Sequence, residues 1–140
     1  MIMQGDVTEV MGLPLPEPLT RALREGRWAA LQESPNIADV FADEPDGPMF
    51  YDIEAMISQN RTLHAVTDAQ EFPDHPLMSA GFSVVPRLTL FIGDLGADMP
   101  FALDYRLDMQ SPRVIYLGPQ GWVEVARNIE ELIARLQPPA

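Results

Sequence analysis

Residues 88–126 read LTLFIGDLGADMPFALDYRLDMQSPRVIYLGPQGWVEVA, and the period of two inside this stretch decides the fold. Residues 88–92, apolar except for Thr89, predict a buried strand. Phe101, Leu103, Tyr105 and Leu107 then alternate with Ala102, Asp104, Arg106 and Asp108, which predicts a strand with one covered and one solvated face. Residues 114–117 and 122–126 predict two more strands, separated by Gly118, Pro119, Gln120 and Gly121 as a four-residue hairpin connection. Gly93, Asp94, Leu95 and Gly96 join the first two strands. A phosphate-binding loop would lead into a helix, and Asp94 and Asp98 would repel the anion, so the glycines predict a tight interstrand turn with positive φ.

Outside this stretch the period changes. Leu15, Leu19, Ala22 and Leu23 fall at i, i+4, i+7 and i+8, with Pro14, Pro16 and Pro18 suited to the entry and Gly26 to the stop of a first helix. Trp28 to Leu31 either prolong that helix or pack as a separate anchor. Asp52 is an N-cap before Ile53, Met56 and Ile57, predicting a short second helix over residues 53–61, and residues 63–66 fit a strand. Proline and glycine make residues 33–48 and 67–86 read as loops. Residues 1–12 fit either a loose segment or an edge strand. Near the far end Asn128 can cap a helix with Glu131 at its third position, and Ile129, Leu132, Ile133 and Leu136 give its apolar stripe before Pro138 and Pro139. Helices first, a meander after them and no βαβ alternation predict an α+β fold. Its sheet is mostly antiparallel, with N-terminal helices and a C-terminal amphipathic helix packed on it, in one domain over residues 1–140.

At 140 residues and 46% hydrophobic content the chain can build one core unaided. No apolar run approaches the length of a membrane span, and the first residues lack the basic flank and apolar stretch of a signal peptide, so no membrane partner and a cytoplasmic location are expected. The chain contains no cysteine and no lysine. Thiol nucleophiles, disulfides, thiolate metal sites, Schiff bases and the lysine of a phosphate-binding loop are thereby excluded.

The formal charge is −12, which would repel a nucleic-acid backbone, so no nucleic acid is expected. The charge is unevenly spread. Residues 33–74 carry ten acids against Arg61 alone, a net −9. Asp39, Asp43, Glu44, Asp46, Asp68, Glu71 and Asp74 in that segment are the candidate partner-binding residues, weighed against an ordinary solvated acidic surface.

Catalysis would rest on His64, His75, carboxylates and hydroxyls. No GxSxG surrounds Ser34, Ser58, Ser79, Ser83 or Ser111, so no nucleophilic serine stands out. Asp68, Glu71, Asp74 and His75 are hard ligands, but they lack the spacing and defined glycine of a metal-binding loop and read as a solvated loop. No catalytic residue, metal or cofactor is expected. Trp28 and Trp122 read as core or edge anchors.

The series FIGDLGADMPFALDYR (91–106), PRVIYL (112–117), GWVEVA (121–126) and a terminal amphipathic helix resembles the SUKH superfamily of immunity and cell-wall-regulator-like (Smi/Knr-like) domains. LPEPLTRAL (15–23) is similar to that family's Leu-Pro-led first helix, and FYDIEAMISQNRTL (50–63) to its short middle helix. Ile129 and Leu132 depart from the aromatics the family often places in its last helix, as do the acidic, proline-rich insertions. The resemblance implies an α+β domain without catalytic activity that binds and neutralises a toxin in the cytosol of its producer. The acidic segment adds that a cationic toxin, such as a nuclease, would be a natural complement. Two alternatives are a small acid–base or metal-assisted enzyme using His64 or His75 with carboxylates, and a general regulatory interaction module. The oligomeric state is not readable from the sequence.

Overall fold

The computed structural model describes residues 7–69, 86–119 and 121–137, with residues 62–69 as helix only. The predicted meander is a five-stranded antiparallel sheet of β3 (Met49–Phe50), β4 (Thr89–Asp94), β5 (Pro100–Asp104), β6 (Arg113–Gly118) and β7 (Gly121–Ala126), in that spatial order. With the helices described below, this makes the fold α+β. Gly118 pairs directly with Gly121, so the last hairpin turns over two residues rather than four.

Register sorts the side chains onto two faces. Leu90, Ile92, Phe101, Leu103, Val114 and Tyr116 enter the main core, whereas Ala102, Ile115 and Trp122, flanked by Phe91 and Leu117, form a second, smaller cluster. The solvated face expected for β5 is therefore a misreading: Ala102 and Asp104 are buried. Asp104 is tolerated there because Arg106 and Arg113 both reach its carboxylate, each at 2.9 Å. The same hook ends the strand. Arg106 folds back onto Asp104, and Leu107, next in the alternation, stands 80% exposed.

α1 (Glu17–Arg24) buries Leu19, Ala22 and Leu23 as its spacing predicts, and it ends before Gly26, whose φ is +73°. α2 (Arg27–Ala30) is separate and serves as the anchor. Its Trp28 is fully buried, with ring centroids 4.8 Å from Phe50 and 6.2 Å from Phe101, and its Nε1 has no hydrogen-bond partner among the described residues. A 3-10 turn over Leu31–Glu33 leads on to α3 (Ile37–Phe41), which corrects the loop expected over residues 33–48. Ile37, Val40 and Phe41 have i, i+3, i+4 spacing and are buried; the surrounding acids and prolines hide this short stripe.

α4 (Ile53–Ala69) starts as predicted, with the Asp52 carboxylate accepting the Ala55 N–H at 2.8 Å. It runs through residues 63–66, which overturns the strand expected there; a four-residue apolar run does not by itself separate strand from helix. α5 (Ile129–Leu136) buries its predicted stripe, and Asn128 Oδ1 accepts the Glu131 N–H at 2.9 Å. Ser34 donates to Leu136 O, the last carbonyl of α5, and Asn36 to Gln137 O just after it, fastening the segment before α3 to the end of that helix.

Of the N-terminal segment, residues 9–14 form a small hairpin of β1 (Glu9–Val10) and β2 (Leu13–Pro14), and residues 1–6 lie outside the described residues. Met11 and Gly12 between them both have positive φ, at 53° and 78°, as a two-residue hairpin turn requires. Tyr105 Oη donates to Pro14 O at 2.7 Å and ties this hairpin to the sheet.

Candidate interaction surface

One end of the sheet gathers acids from two parts of the chain. The loop after α3 runs through residues 42–48 into β3, and the turn between β4 and β5 covers residues 95–99. Met49 of β3 pairs with Asp94 of β4, so register alone puts loop and turn side by side. The Asp46 N–H donates to Leu95 O at 2.6 Å. Gly96, at φ +153°, lies so close that a Cβ there would be 2.8 Å from Asp46 O. Leu95 N–H donates to Met99 O at 2.9 Å and closes the turn, with Asp98 in a left-handed conformation at φ 62°. The positive φ predicted for this glycine turn is present at Gly96.

Two tyrosines rise from the core to hold two of the carboxylates. Tyr116 Oη donates to Asp43 Oδ2 at 2.6 Å, and Asp43 Oδ1 accepts the Glu44 N–H at 2.9 Å. Tyr51 Oη donates to Asp94 Oδ2, also at 2.6 Å. Burial first, then the hydrogen bond and charge of the neighbouring aspartate, push both phenols well above their ordinary value, so both are neutral donors. Such bonds to a charged acceptor are short and strong. Asp43 and Asp94 are thus positioned groups, whereas Glu44, Asp46 and Asp98 are exposed. Met49 stands 52% exposed beside them.

Neither residues 42–49 nor residues 94–100 contain an Arg or Lys, so five carboxylates share this end without a cation from either segment. The electrostatic contrast lies farther along β5. There Asp104 would be raised by burial, but hydrogen bonds from Arg106 and Arg113, and the Arg106 charge, outweigh this and hold its carboxyl below the usual range. Arg113 also reaches Glu124 at 3.5 Å. That cluster is internally neutral.

Of the candidate partner-binding residues, the fold brings together Asp43, Glu44 and Asp46. Asp39 is exposed on α3, which feeds the loop. Asp68 lies in the last turn of α4, with its side chain outside the described residues, and Glu71 and Asp74 lie outside them altogether. His64 falls within α4, and His75 lies outside the described residues. Asp94 and Asp98 join the site although sequence reasoning weighed them only against a phosphate. Tyr51 and Tyr116 had no sequence signal beyond their apolar character. Among the described residues no group of three or more His, Asp or Glu side chains could hold a metal ion, and no helix is long and apolar enough to cross a membrane. No family model matches the chain, and no curated protein or solved structure matches it.

Proposed function

We propose that this protein is a non-catalytic immunity protein of the SUKH type, which binds a cationic protein toxin, nuclease-like in its need for a basic active site, and blocks it in the cytoplasm. The observation that carries this reading is the acidic end of the sheet, where loop 42–48 and turn 95–99 present Asp43, Glu44, Asp46, Asp94 and Asp98 with no Arg or Lys in either segment. An enzyme active site that holds a phosphate backbone is cationic. An acidic surface steers towards it, raising the association rate, and a few desolvated carboxylates paired with Arg or Lys slow dissociation. The tyrosine bonds to Asp43 and Asp94 hold these two carboxylates in place before binding, which lowers the ordering cost. Asp39, Asp68, Glu71 and Asp74 belong to the proposal as carboxylates of the same acidic segment. Met49 supplies an apolar contact among the charges.

The test is capture of partners from native lysate at low salt by the wild-type chain and by a Glu44→Gln/Asp46→Asn/Asp98→Asn variant, identified by mass spectrometry. A basic protein retained by the wild type and lost by the variant, whose toxicity the wild-type chain suppresses in co-expression, is the expected result. A partner held equally by both proteins would place the binding face elsewhere. Toxicity relieved only through turnover of a small molecule would replace the binding reading with the enzymatic one.

A further inference from the structure

Gly47 follows Asp46 in the loop from α3 to β3, and no other aspartate or asparagine of the chain is followed by glycine. The pair carries a chemistry of its own. The backbone nitrogen after an aspartate can close a five-membered ring on the side-chain carboxyl carbon, and a glycine there removes the Cβ that hinders the approach. In a folded chain the closure is blocked where the carboxylate is engaged, or where the peptide unit that must rotate is hydrogen-bonded.

Among the described residues neither block is present at this pair. Asp46 and Gly47 are both exposed. The Asp46 carboxylate has no hydrogen-bond or ion-pair partner there, and neither the Asp46 C=O nor the Gly47 N–H is hydrogen-bonded. The bond from the Asp46 N–H to Leu95 O fixes only the near side of the residue. Space is open on the far side, where a Cβ on Gly47, at φ +72°, would meet nothing within 4 Å. The neighbouring aspartates differ. Asp43 and Asp94 each carry a tyrosine on the carboxylate. Asp98, exposed at the same end, precedes Met99, whose N–H donates to Gly96 O at 3.2 Å.

We propose that Asp46–Gly47 is a site of isoaspartate formation in the folded protein. Gly47 N attacks Cγ of the protonated Asp46 carboxyl, the N–Cγ bond forms, and the amide proton leaves with the carboxyl hydroxyl as water, giving a succinimide. Water then adds to the Asp46 main-chain carbonyl and its C–N bond breaks. The chain now runs through Cγ, and the new carboxylate on Cα gives back the proton first taken up. Mass and charge are unchanged, but the main chain gains one carbon between the Asp46–Leu95 bond and the Met49–Asp94 pair, so an aged molecule presents a different acidic end.

The test is prolonged incubation of the full chain at neutral pH, folded and, in parallel, unfolded in guanidinium chloride, with isoaspartate located by electron-transfer fragmentation of the tryptic peptide 28–61. A site that reacts only after global unfolding lags the unfolded chain by the unfolding constant, about a thousandfold or more. Asp46 in the folded chain should lag by less than about tenfold, because no hydrogen bond of its following peptide unit has to open first. It should also exceed Asp39, Asp43 and Asp52 of the same peptide by more than about tenfold, since valine, glutamate and isoleucine follow these. Asp46→Glu keeps the charge but would need a six-membered ring, and should melt as the wild type without forming the isomer. A lag beyond tenfold, comparable isomer at the other three aspartates, or isomer at residue 46 in Asp46→Glu overturns the proposal.

Discussion

A single methyl group probes how tightly the turn below the acidic end is built. A Cβ on Gly93 would lie 2.4 Å from Phe101 Cζ and 2.9 Å from Met49 O. Phe101 cannot swing away, because it is fully buried, with ring centroids 5.0 Å from Phe41 and 5.1 Å from Phe50. Gly93→Ala should therefore cost about 1 to 3 kcal/mol, read as a lower urea midpoint. Tyr116→Phe probes the other support. It leaves Asp43 Oδ2 without its 2.6 Å donor while keeping the ring in the core. A loss of about 1 to 2 kcal/mol is expected, together with faster hydrogen exchange at the Asp46 N–H, which is bonded to Leu95 O from the same loop. Unchanged exchange at Asp46 would mean that the tyrosine does not hold the loop.

At the scale of elements, the described structure leaves the β4 edge largely without a strand partner on one side, since β3 is two residues long. Asn60 takes the place of the missing strand: Phe91 N–H donates to its Oδ1 at 2.7 Å, and its Nδ2 donates to Phe91 O at 2.8 Å and to Met56 O at 2.7 Å. Asn60→Ala leaves the half-buried Phe91 N–H and C=O without these partners and should cost about 1 to 3 kcal/mol, with loss of protection at the Phe91 amide. Asn60 illustrates what a sequence does not show, for a polar residue on a helix face reads as solvated until the strand it serves is known. Period-two and period-3.6 patterns were legible where they were long and apolar, as in β4, β6, β7, α1 and α5. They failed where charge or shortness masked them, as in α3, and where a tertiary hook overrode them, as when Asp104 turned inward to Arg106 and Arg113. The acidic loop was legible as composition. Its junction with Asp94 and Asp98 depends on the Met49–Asp94 pairing, which is non-local and invisible to local pattern.

For the whole molecule, ionisation bounds stability from both sides. Asp104 is depressed in the folded chain, so its contribution is present above its unfolded value of about 4 and is lost as pH falls towards the folded value. Tyr51, Tyr105 and Tyr116 are raised, chiefly by burial, so stability is intact below about 10 and is lost as pH rises beyond it. Urea midpoints across pH should fall on both limbs, and Tyr116→Phe should shallow the alkaline limb because one raised phenol is gone. The remaining long-range term is the mutual repulsion of the acidic end in a chain at −12. Glu44, Asp46 and Asp98 project into solvent. Replacing them together by Gln, Asn and Asn takes the charge to −9 and removes no tyrosine bond. This should raise stability at low salt by up to about 1 kcal/mol. Asp43→Asn should act in the opposite direction, because Tyr116 then donates to a neutral amide rather than a carboxylate. Salt separates the two effects. Screening lengths near 10 Å at about 0.1 M should lift the wild type towards the triple variant as salt is added, whereas the Asp43→Asn deficit, local and half-buried, should persist. Melts that show the triple variant destabilised at low salt, or Asp43→Asn neutral at every salt concentration, would mean that the acidic end is held together by its carboxylates in some other way than the two tyrosine bonds.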